Sequence, residues 1–192
     1  MNLPTQSRAI RVVRLPSGET SLEINVLGLQ QPSEFFHADW YGSETGSSDA
    51  KFFFGKLSVG APRLIRVLEV SFGRKALASI RETLDSKDFM HGLRSFIASS
   101  GTYVAPREVR AQLVDSQTKE FSFVATFAFM GFAENDAAIS FFRMPPGAEL
   151  IAGMDPTKVV IHPLVRIDTT AAVLHAFCSD VISVVDGKGS SK

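Results

Sequence analysis

The 192-residue chain has one cysteine, one tryptophan, two tyrosines and no excess of either charge. Each shortage excludes something. A lone Cys178 cannot close an internal disulfide and cannot build a multi-cysteine zinc site. A reducing, cytoplasmic setting is the expectation. Twenty Lys and Arg against twenty Asp and Glu leave no positive surplus to displace counterions from phosphates, which argues against a nucleic-acid partner. No apolar run reaches the roughly 18 residues a membrane span needs, and Met1 to Arg8 lacks the apolar stretch of a signal peptide. Catalytic signatures are missing too. There is no G-x-S-x-G, no G-x-x-x-x-G-K-[ST] and no G-x-G-x-x-G. The histidines His37, His91, His162 and His175 fall on four different elements, without metal-ligand spacing. No catalytic, cofactor-binding or metal-binding residue is assigned, and the expectation leans away from an enzyme.

What the chain has in quantity is phenylalanine, sixteen residues in a composition 45% hydrophobic. Phe brings apolar area without a polar handle, so most of it belongs in a core. The apolar residues are periodic. Leu22, Ile24 and Val26 alternate with period two after the turn Pro16 to Glu19, which reads as a hairpin with Ala9 to Leu15. Phe35 to Tyr41, Lys51 to Leu57 and Leu64 to Val70 read as strands, with Val59 to Pro62 as a turn. Ala76, Leu77, Ile80 and Leu84 share one helix face, and Phe89, Met90, Leu93, Phe96 and Ile97 line a second helix that Ser86 could cap. Glu108 to Val114, Phe121 to Phe132, Ala138 to Met144 and Val159 to Ile167 read as strands, Pro163 marking an edge or a bulge. Asp168 or Thr169 is expected to cap a last helix buried along Val173, Leu174, Phe177, Val181 and Ile182.

The second half echoes the first. Asp49 to Leu57 corresponds to Asp136 to Met144, each followed by an apolar strand and an amphipathic helix. Phe36 aligns with Phe123 and Asp49 with Asp136 at one offset. Val70 aligns with Ile167 and Leu77 with Leu174 at an offset ten larger, and the Pro/Gly-rich loop Pro145 to Lys158 absorbs the difference. The expected fold is therefore α+β: two repeated antiparallel units, 1–101 and 102–186, helices on one side of the sheet, and a disordered tail at 187–192.

Six aromatic residues are candidate binding residues. Trp40 and Tyr41 stand among scattered cations. Phe123, Phe127, Phe129 and Phe132 belong to Phe121 to Phe132, read as one strand apolar on both faces, which is either covered twice or meets a partner. Cys178 and His175 share a helix face, an arrangement that suits a buried thiol beside a half-exposed imidazole better than a reactive thiolate.

The two copies, Phe36 to Leu57 with Leu64 to Leu84 and Phe123 to Met144 with Val160 to Ile182, resemble a group of small bacterial proteins of unknown function. The pattern is also similar to that of the export chaperone SecB, an antiparallel sheet backed by helices. That resemblance implies a binding module that associates through sheet edges and helices. The functional expectation is a non-enzymatic protein-binding or assembly module, chaperone-like or adaptor, with a protein partner or self-association. The alternative is a small-molecule-binding protein or enzyme with a pocket between the halves under the 145–158 loop.

Overall fold

The computed structural model describes residues 10–14, 16, 20–25, 28–57, 64–85, 87–99, 119–133, 136–148, 151–152, 155 and 158–187. The expected turns at 17–19 and 59–62, the strand at 108–114, the cap Ser86 and the tail beyond Gly187 lie outside them. A hairpin, β1 (Ile10–Arg14) and β2 (Thr20–Ile24), precedes β3 (Phe35–His37), β4 (Trp40–Thr45), β5 (Asp49–Leu57) and β6 (Leu64–Gly73). Helices α1 (Arg74–Asp85) and α2 (Lys87–Ser99) follow, then β7 (Lys119–Ala125), β8 (Phe127–Ala133), β9 (Asp136–Arg143), β10 (His162–Thr170) and α3 (Ala171–Val185).

The fold is mixed α and β, with two four-stranded sheets in the orders β4-β5-β6-β7 and β8-β9-β10-β3. An all-antiparallel sheet is the expectation, and the structure corrects it. β3 runs parallel to β10 and β7 runs parallel to β6. The reason is a strand crossing. The extended segment that opens each half breaks in two. Its second part pairs antiparallel in its own half, and its first part lies beside the third strand of the other half. Phe36 sits opposite Ile167, and Phe123 sits opposite Val70.

Both breaks are fastened alike. At the first, Asp39 N donates to Gly55 O (3.1 Å) and Asp39 Oδ1 accepts from Leu57 N (2.7 Å). At the second, Thr126 N donates to Phe142 O (2.9 Å) and Thr126 Oγ1 accepts from Met144 N (2.7 Å). The three positions correspond at one spacing of 87 residues (39 and 126, 55 and 142, 57 and 144). A short side-chain acceptor here satisfies an N–H that the departing strand no longer serves.

The break at Thr126 also corrects the reading of Phe121 to Phe132 as a single strand with one aromatic face. In β7 the odd positions Phe123 and Ala125 face the core, whereas in β8 the even positions Met130 and Phe132 do. Phe127 and Phe129 therefore turn away from the core even though they continue the period of Phe121 and Phe123. Period two follows a side chain only while the strand stays in one sheet.

Helices α1, α2 and α3 lie roughly on one side and close a shared core. Leu77, Ile80 and Leu84 of α1, Leu93 of α2, and Val173, Leu174, Phe177 and Val181 of α3 pack with the inward residues of both sheets. Phe177 is the hub, its ring 5.1 Å from Phe52, 5.8 Å from Phe54, 6.0 Å from Phe141 and 6.3 Å from Tyr41. Aromatic pairs at such spacings add about 0.5–1.5 kcal/mol each beyond their burial. α3 begins one residue later than expected, because Asp168 and Thr169 still belong to β10 and Thr170 is the cap, its hydroxyl accepting from Val173 N at 3.4 Å. A register shift between Pro163 and Val165 supplies the bulge that Pro163 announces. A second cluster, Leu29, Phe142, Ala148, Ala152, Val159 and Ile161, packs the Pro/Gly-rich loop against β9.

Thr126→Val keeps the shape and removes the acceptor. The expected cost is about 1–3 kcal/mol from the unserved Met144 N–H, read as a lower denaturant midpoint. Thr126→Asp, which copies the residue at the other crossing, should recover most of it.

Candidate functional site

The crossing decides where the six candidate aromatics lie. Tyr41 points inward against Phe52, Phe54 and Phe177. Its hydroxyl donates to Asp180 Oδ2 at 3.0 Å, and Ser43 Oγ donates to the same oxygen at 2.5 Å. Burial first, then the Asp180 carboxylate, hold the phenol well above its ordinary range. Tyr41 thus ties β4 to α3 as a neutral donor. Trp40 points to the opposite face, where its ring lies on its own strand: a Cβ at Gly42 would meet Trp40 Cη2 at 2.7 Å. Phe123 packs against the core from β7, its ring 6.2 Å from that of Phe121. Phe132 fills the gap between Phe89 and Phe96 of α2, at 5.6 and 5.3 Å. Phe127 stacks flat on Phe142 at 4.9 Å and joins the second cluster. Of the six, Phe129 is the one exposed large apolar side chain. The six do not converge on one surface.

A different set shares a kind of position in the sheets, though not one surface. Phe35, Phe121, Val124 and Phe129 are exposed large apolar side chains, and all four sit on edge strands: β3 and β8 of one sheet, β7 of the other. Sequence reasoning placed Phe121 and Val124 in the aromatic strand and Phe35 at the start of another, but named none of the three as a binding residue. The missing signal was sheet order, because period-two patterning does not tell an edge strand from a central one.

Cys178 is a core thiol. It is fully buried, its Sγ 3.7 Å from Met130 Sδ, and burial pushes its thiol up to about 12. Burial, then Arg94, lowers His175. A thiol held protonated is a poor nucleophile.

A cavity of about 910 Å³ opens beside the first crossing, lined by both halves. His37, Asp39 and Lys56 come from the first half, and Asp136, Arg166 and Asp168 from the second, around the small residues Gly131 and Ala138. Arg166 Nε lies 2.7 Å from Asp168 Oδ1 and its guanidinium carbon 5.9 Å from the centre of the Phe35 ring. Asp39 is already engaged at the crossing. No described residue of 145–158 lines this cavity. Among the described residues, no three His, Cys, Asp or Glu gather as metal ligands, and no helix is long and apolar enough to cross a membrane.

Comparison with protein-family models, with curated proteins and with solved structures returns no match.

The thiol yields a pH prediction. Unfolded Cys ionises near about 8.5, whereas folded Cys178 resists ionisation to about 12. The folded state therefore holds the extra proton between those values, and stability falls as pH rises through that window. Cys178→Ala should flatten this part of the alkaline unfolding profile. The native thiol should also stay unreactive toward a disulfide reagent at pH 8 until the chain is unfolded.

Proposed function

We propose that this chain is a non-enzymatic protein-binding or assembly module that takes extended polypeptide segments at the edges of its sheets. The observation that carries the reading is the placement of exposed apolar residues: four of the five exposed large hydrophobic side chains among the described residues lie on edge strands. Soluble proteins usually defend such edges with charge, proline or a bulge, because an open edge pairs with any extended chain. An apolar edge suits strand addition, in which main-chain hydrogen bonds give affinity and alternate side chains give specificity.

We further infer that the halves are tandem copies of one strand-strand-strand-helix unit, as in the SecB-like resemblance. The corresponding crossings at Asp39 and Thr126, each with its pair of hydrogen bonds, support this. The buried, protonated Cys178 suits a reducing, cytoplasmic setting. The second reading is a small-molecule site between the halves; the cavity beside the first crossing, lined by His37 and Arg166 and by no described residue of 145–158, supports it.

Val124→Lys and Phe129→Lys test the main reading, since each charges an edge at an exposed position. Unfolding free energies should change by less than about 0.5 kcal/mol. Capture of extended apolar peptides from a synthetic array should fall about tenfold or more, as expected when charge is placed on a pairing edge. Undiminished capture by both variants would sink the proposal.

A further inference from the structure

The edge of β10 already holds a strand that does not come from its own half. Glu34 O accepts from Arg166 N at 2.9 Å, Ala38 N donates to Asp168 O at 3.0 Å, and Ala38 O accepts from Thr169 Oγ1 at 2.6 Å. Phe36 points inward opposite Ile167 and is 4% exposed, while its neighbours Phe35 and His37 face solvent. Upstream, Leu29 is buried in the second cluster beside Phe142 and Ile161. The chain then leaves this sheet through the single crossing at Asp39.

The occupant is short for its site. β3 pairs with three residues of the nine-residue β10, Arg166 to Asp168. At the corresponding edge of the other sheet, β7 pairs with six residues of β6, Val67 to Phe72. The inward Phe36 ring, the Arg166 guanidinium beside Phe35, the Thr169 hydroxyl and a few main-chain hydrogen bonds hold β3, and the ladder is short and parallel. Every one of those contacts can be made equally well by the same segment of another molecule.

We infer that the β10 edge is a docking groove for an extended segment carrying one large inward apolar side chain. The protein's own Glu34 to Ala38 fills it in cis, and the same segment of a second copy of this chain fills it in trans, linking two molecules by arm exchange. The inference rests on the edge-addition reading above and names its partner and site. Within one chain the segment enjoys an effective concentration on the order of millimolar. Cis occupation therefore prevails in dilute wild-type protein, and weakening the cis segment lets the trans segment in.

The test uses the full chain and a fluorescent synthetic peptide of residues 30–40. Phe36→Ala empties the inward pocket, and Phe36→Leu is the milder form. Peptide anisotropy should show binding to the Phe36→Ala chain about tenfold or more tighter than to wild type, as loss of an intramolecular competitor requires. Because a ligand of the native state stabilises it, saturating peptide should also raise the thermal midpoint of either variant, which keeps the outcome readable where Phe36→Ala folds poorly. A peptide carrying Phe36→Ala, or one N-methylated at Ala38, should neither bind nor stabilise. Equal binding by these control peptides, or no midpoint shift in both variants, overturns the inference. Loss of array capture in Val124→Lys without any peptide binding to the Phe36 variants would sink arm exchange alone, leaving edge addition standing.

Discussion

Everything in this molecule depends on two strand crossings. At Asp39 and Thr126 an extended segment leaves one sheet and enters the other, and each sheet is completed by a strand from the opposite half. Neither sheet has four strands without that exchange. The crossing makes the sheets mixed, inverts which side chains face the core, and draws the inward faces of both sheets into one cluster with the three helices. A side-chain acceptor at each crossing covers the N–H that the change of partner would otherwise leave unserved.

The core follows from that constraint. With both sheets turned toward the helices, one ring on α3 can reach β4, β5 and β9 at once, and Phe177 does so. Tyr41 is drawn into the same cluster and spends its hydroxyl on Asp180. The outward faces and edges receive what is left: Phe35, Phe121, Val124 and Phe129. Apolar edges are costly in water unless something covers them, so the pattern that closes the core also creates the surfaces on which binding is proposed.

Element identity was largely legible in the sequence. The stripe Leu77, Ile80, Leu84 and the stripe Val173, Leu174, Phe177, Val181 mark α1 and α3 because an isolated helix must bury one face. The correspondence of Asp49 with Asp136 puts both at the first residue of a strand, β5 and β9. The candidate aromatics were less legible. Phe123, Phe127, Phe129 and Phe132 look equivalent in a period-two reading, yet one polar residue, Thr126, sends them to different sheets. Nothing within a few residues of Thr126 announces the change, because its hydrogen-bond partners Phe142 and Met144 lie sixteen and eighteen positions away.

By itself, the sequence determined the helix stripes and most of the strand segments among the described residues, and that Cys178 stays a single thiol. Those properties depend on neighbours within a few positions and on composition. Only the tertiary structure decided strand order, parallel pairing, and which Phe residues are core and which are edge. Those depend on hydrogen bonds and packing between residues as distant as Phe36 and Ile167, whose meeting no local periodicity encodes.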